Sequence, residues 1–170
     1  MKHPVDDLMA EHRVIESVLD AIECELSSGD SSAFRADFWQ QVAEFAANYA
    51  DRRHHGKEEE VLFPMLREAG LPEGEGPVAC MLHEHVQGRE LVGQLRQAAQ
   101  DGRAEPTYAA ARGYVHLLRD HIAKEDQVLF EMARQMLSAE QVERLREGFD
   151  TVNAECSGVD AADYMAVARG

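Results

Sequence analysis

A ten-residue phrase occurs twice in this chain of 170 residues. The first copy runs His54-His55-Gly56-Lys57-Glu58-Glu59-Glu60-Val61-Leu62-Phe63, and the second His121-Ile122-Ala123-Lys124-Glu125-Asp126-Gln127-Val128-Leu129-Phe130. His, Lys, Glu, Val, Leu and Phe coincide when the two are laid over each other. Four residues make about one helical turn, so His54 and Glu58, and likewise His121 and Glu125, share a face. Val61 and Val128, seven after each His, are expected to continue it. A His and a carboxylate on a face that otherwise meets a core need compensation for burial.

Helical periodicity runs through most of the chain, with little β-branched alternation. Ser27 to Ser32 ends a first helix, Gly70 to Pro77 separates the second from the third, and Asp101 to Pro106 separates the third from the fourth. Short connections between long amphipathic helices predict an all-α, up-down-up-down four-helix bundle. Pro64, late in the second helix, is expected to kink or end it. Ser138-Ala139-Glu140-Gln141 has the form of a capping box and predicts an additional C-terminal helix to about Cys156. The expected organisation is a bundle over 1–136 and a helical extension and tail over 137–170.

The stripes that should face the core carry polar residues at matching heights. Leu8, His12, Ile15, Leu19 and Ile22 follow each other at helical spacing in the first helix. Ala50, His54, Glu58 and Val61 do so in the second, Val78, Met81, His85 and Val92 in the third, and Tyr114, Leu117, His121, Glu125 and Val128 in the fourth. A single His in such a row is usually a hydrogen-bonded core residue. One on every helix, with two carboxylates, would leave many buried donors and acceptors unpaired unless they shared a partner. A metal pair at the bundle centre removes that conflict. Imidazole and carboxylate without thiolate favour iron, manganese or zinc over copper(I) or an iron–sulfur cluster.

The formal net charge of −15 argues against nucleic acid, whose phosphates it would repel, and disfavours anionic membrane surfaces. No apolar run reaches transmembrane length and no leader precedes the first amphipathic pattern, so a cytoplasmic protein is expected. Cys24, Cys80 and Cys156 are far apart and form no CxxC. They are read as reduced thiols in small buried positions.

On these residues the chain resembles the hemerythrin family, in its HHE cation-binding branch. His54 to Pro64 looks like that branch's second-helix motif, and Gly76 to Arg89 like its third helix. The resemblance spans about residues 5–136. It implies a four-helix bundle with a centre of two non-haem iron ions that binds O2 or reacts with nitric oxide or peroxide. His12, His54, His85 and His121 would be terminal ligands, and Glu58 and Glu125 bridging carboxylates. This set is like that of the family's iron-centre repair proteins, which also carry an N-terminal segment with paired cysteines not seen here. The family's oxygen carriers have a further His where this chain has Met81. They bridge with an Asp at the spacing of Asp126, which therefore competes with Glu125.

His55, Glu59 and Asp126 are secondary ligand candidates. His55 lies about 100° around the helix from His54 and reads as a surface or interhelix residue, or as the group that fills the place of the His missing at Met81. His83, Glu84 and His116 are off the stripes and read as solvated, and Tyr114 reads as core packing that could line a pocket. Three kinds of function follow: a carrier or sensor of O2 or another small ligand, an enzyme of peroxide or nitric oxide breakdown, and iron-centre repair or iron storage. Storage in the ferritin manner is disfavoured, because no Glu-x-x-His occurs in the chain.

Overall fold

The computed structural model describes residues 2–28, 34–72, 74–159 and 161–164; parts of the expected breaks after Ser28 and around Glu73, and of the tail beyond Val159, lie outside them. Helix α1 is Val5–Ser27, α2 spans 36–68, α3 is Gly76–Gln100, α4 spans 104–136, α5 is Ala139–Glu155 and the short α6 is Ala161–Tyr164. No strand occurs among the described residues.

Helices α1 to α4 pack as a ring, α1 on α2, α2 on α3, α3 on α4 and α4 on α1. Residues at the start of α1 share one apolar cluster with the end of α2, the start of α3 and the end of α4: Leu8, Leu66, Met81 and Phe130 are members. The opposite ends form a second cluster around Ile22, Trp39, Leu95 and Ala111. That antiparallel arrangement leaves a middle layer between the two clusters, and the buried polar residues occupy it. Helix α5 lies against α2, with Leu145 and Phe149 buried in the first cluster. It starts on the expected capping box: the Gln141 backbone N–H donates to the Ser138 hydroxyl, and the Ser138 N–H donates to the Gln141 side-chain oxygen. Tyr164 of α6 meets Phe45 edge-on at 5.3 Å.

Long stretches of α2 and α4 are π-helical: Ala46–His55 and Glu58–Leu62 in α2, and Glu125–Leu129 in α4. A π turn takes up an extra residue before the same face returns. The consequence corrects the expected register. Leu62 and Leu129, eight after each repeat His, are buried, whereas Val128 is 48% exposed and Val61 only partly buried. Val61 instead abuts Gly148 of α5, where a side chain would collide with it.

The same widened turn explains why Pro64 does not end α2. α-Helical hydrogen bonding restarts at Phe63, so Pro64 falls in a first turn, where its missing N–H costs nothing. The cysteines also depart from expectation: Cys156 is buried, but Cys24 and Cys80 are exposed.

Candidate metal centre

Five histidines, not four, converge in the middle layer. His12 comes from α1, His54 and His55 from α2, His85 from α3 and His121 from α4, and all are buried. Glu58 and Glu125 are fully buried among them. Two groups of candidate ligand atoms form, each with all its atoms within 4.8 Å of one another. One comprises His55, Glu58, His85 and His121, the other His12, His54, Glu58 and Glu125, so Glu58 belongs to both. Glu125 also lies 3.3 Å from His121 Nε2.

His55, a secondary candidate in the sequence, stands with the others. It is buried rather than superficial, and its ring stacks on His85 with centroids 3.8 Å apart. The π-helical backbone through Ala46–His55 sends two consecutive side chains into the layer, His54 toward His12 and His55 toward His85. Glu59 and Asp126 belong to neither group; both serve a histidine from behind. Met81 is buried in the apolar cluster beside the layer.

Each histidine is oriented through its Nδ1. His12 donates to Asp126 at 2.7 Å, His54 to Glu11 at 3.0 Å, His55 to Asp51 at 3.2 Å, His85 to Glu59 at 2.7 Å and His121 to Glu84 at 2.8 Å. Behind every one of these carboxylates stands a cation. Arg13 pairs with Asp126, Lys57 and Arg53 with Glu11, Arg89 with both Asp51 and Glu59, and Lys124 with Glu84. A carboxylate on Nδ1 fixes the tautomer, so the lone pair of Nε2 points inward, and it raises the basicity of that nitrogen. Glu84 therefore corrects the expectation of a solvated side chain, while His83 and His116 are exposed as expected.

The residues fit a metal because the inward atoms meet only one another: His12 Nε2 lies 3.2 Å from Glu125, and His54 Nε2 and His85 Nε2 each 3.5 Å from Glu58. Nε2 of His12, His54 and His55 and both carboxylate oxygens of Glu58 and Glu125 are buried without a hydrogen bond. His85 and His121 present their Nε2 atoms to each other at 3.2 Å. With both Nδ1 protons committed to carboxylates, two lone pairs face each other there unless a positive charge lies between them.

The electrostatics point the same way. Burial and the neighbouring Glu125 charge push the Glu58 carboxyl well above the usual range. Burial alone would raise Glu125 too, but His121 and His12 outweigh it and hold that group at about 2. His12 resists its burial through Asp126 and Glu125 and rises to about 9. Burial lowers His54 to about 4, against the pull of Glu11. It also lowers His55 well below its ordinary value, helped by His85 and His121.

Glu11, Asp51 and Glu84 were missed by reasoning from the core stripes. A signal for them exists in the sequence: each is next to a ligand candidate or one turn before it, as Glu11 precedes His12, Glu84 precedes His85 and Asp51 lies four before His55.

Residues 3–133 match the family model described as the hemerythrin HHE cation binding domain. Proteins described as uncharacterized from Mycobacterium bovis and Mycobacterium tuberculosis are 28% identical over 153 residues, covering 85% of this chain and 59% of their own length. The iron-sulfur cluster repair protein YtfE of Salmonella newport is 31% identical over 88 residues, covering 47% of this chain and 40% of its own. The chain thus spans less than two thirds of the length of these relatives. No solved structure matches it. No described helix is long and apolar enough to cross a membrane.

Proposed function

This chain belongs to the hemerythrin HHE cation-binding family, and from that premise we propose that its buried centre holds two non-haem iron ions and takes a small ligand such as O2, NO or H2O2. The observation that carries the reading is the convergence of inward Nε2 atoms and unpartnered Glu58 and Glu125 oxygens into two groups that share Glu58. His55, His85 and His121 with Glu58 would hold one ion, and His12 and His54 with Glu58 and Glu125 the other. Nitrogen and oxygen donors without thiolate suit iron, and iron when bound supplies Lewis acidity and exchangeable electrons.

The chain's own part is to hold and enclose. The Nδ1 carboxylates keep five imidazoles in one tautomer and one orientation. The apolar clusters above and below exclude water from the layer, which strengthens every electrostatic interaction inside it. Stopped-flow absorbance on mixing the ferrous-loaded protein with O2, NO and H2O2 tests the reading. A saturable, ligand-dependent change with at least one of them is expected; silence with all of them contradicts it.

A second reading, iron-centre repair, is supported by the similarity to YtfE. Recovery of activity by an oxidatively damaged iron–sulfur enzyme on adding the iron-loaded protein, but not the metal-free protein, would favour it over ligand binding alone.

A further inference from the structure

One of the five supporting carboxylates is held unlike the others. Arg13, Arg89 and Lys124, which stand behind the carboxylates of His12, His55, His85 and His121, are 57%, 41% and 42% exposed. Lys57 and Arg53, which stand behind Glu11, are 2% and 25% exposed. Coulomb attraction strengthens as water is excluded, so Glu11 is the most firmly clamped of the five. It passes that constraint to His54, whose Nδ1 it accepts from at 3.0 Å.

The C-terminal extension excludes the water. A Cβ on Gly148 of α5 would collide with Val61 of α2, and one on Gly56 of α2 would touch Val152 of α5 at 3.7 Å. This close approach lays the buried Phe149 ring over Lys57, with Nζ 5.8 Å from the ring centroid. Beyond α5, the Val159 carbonyl accepts from the Arg53 guanidinium at 2.6 Å, while Arg53 Nε donates to Glu11 at 3.3 Å. The Cys156 thiol reaches the Arg52 carbonyl at 3.8 Å. Both cations on Glu11 are thus fastened from outside the ring of α1 to α4.

We propose that the C-terminal extension positions one half of the centre, the half built on His12 and His54. Phe149 and the Val159 carbonyl set Lys57 and Arg53, these set Glu11, and Glu11 sets His54. Phe149 and Arg53 are positioning residues, since they act on an ion only through His54. The carboxylates of the other half, Asp51, Glu59 and Glu84, lean instead on the exposed Arg89 and Lys124. The inference rests on the two-iron reading above.

Two backgrounds separate the halves: His55→Ala keeps the His12/His54 half and His54→Ala the other. Ferrous iron affinity is measured in each by anaerobic equilibrium dialysis, with and without Arg53→Met or Phe149→Ala. Groups that orient a metal ligand are worth about 10–100-fold in affinity, and these stand one step further out. Each should therefore weaken iron by about fivefold or more in the His55→Ala chain and by less than about twofold in the His54→Ala chain. Arg53→Met tests the clamp without cutting into the apolar cluster. Leu145→Ala, which does cut into that cluster from α5, should lower the unfolding midpoint and leave both affinities within about twofold. Equal weakening in both backgrounds, or none in the His55→Ala chain, overturns the proposal alone. So does Leu145→Ala reproducing the asymmetry. A wild-type chain that takes up fewer than two ions overturns the two-iron reading and the proposal with it.

Discussion

Lys57 is buried to 2% exposure and donates to Glu11 at 2.6 Å, while the other oxygen of Glu11 accepts from His54 Nδ1 at 3.0 Å. A buried lysine is costly unless paired, and here the pair ends on a candidate ligand. Burial would raise Glu11, but His54 and Lys57 outweigh it and bring it to about 2. Lys57→Met should leave that carboxylate with only the longer contact to Arg53, at 3.3 Å, and destabilise the fold by up to about 3 kcal/mol in urea unfolding. It should also weaken metal binding by about tenfold or more, since such orienting groups carry that much affinity. Adding Glu11→Gln should restore much of the stability but not the affinity. A single variant as stable as wild type would refute the pairing.

The two halves of the centre should be separable by mutation. Glu58 belongs to both groups, so Glu58→Ala should lose most of the metal. His54→Ala and His55→Ala strike one half each and should each retain about half, since the remaining ligands still offer one site. The sequence alone predicts metal loss from His54→Ala and none from His55→Ala. Full metal content in His55→Ala would return the ligand set to that simpler expectation.

Metal uptake should release protons. In the metal-free chain His12 rises to about 9, so it carries a proton near neutrality that a cation must displace, and the upward shift of the buried Glu58 carboxyl beside Glu125 adds to that competition as pH falls. Apparent affinity should therefore rise with pH up to the region of His12 and fall as Glu58 and His12 stay protonated in acid. Calorimetric titration in buffers of different ionisation enthalpy counts the protons. Uptake without proton release, at an affinity flat with pH, would contradict the assignment.

The π turns make a stability prediction that the repeat would invert. Leu129→Ala removes a buried side chain and should cost about 2–5 kcal/mol. Val128→Ala, at a half-exposed site, should stay within about 0.5 kcal/mol. Chemical denaturation distinguishes them, and equal losses would mean that α4 is α-helical throughout.

The bundle and the inward histidines were legible because periodicity and break residues set them locally. His12, His54, His85 and His121 recur on apolar rows, and the repeat matched Glu58 to Glu125. The register beyond each Glu was not legible, because π turns follow from the packing of the layer rather than from local propensity; hence Val61 and Val128 were placed inward where Leu62 and Leu129 are found. For the same reason His55 reads in the sequence only as a secondary candidate. The supporting carboxylates were obscured differently. Glu11, Asp51 and Glu84 touch a ring edge from the rim of the layer, so their own periodicity is that of surface residues.

The central claim, a two-ion centre on five histidines and two carboxylates, is tested most directly by elemental analysis of the purified chain, reported as metals per polypeptide. The expected result is two irons per chain, falling to nearly none in Glu58→Ala. A wild-type chain that holds a single zinc, or no metal after exposure to ferrous iron, would contradict it.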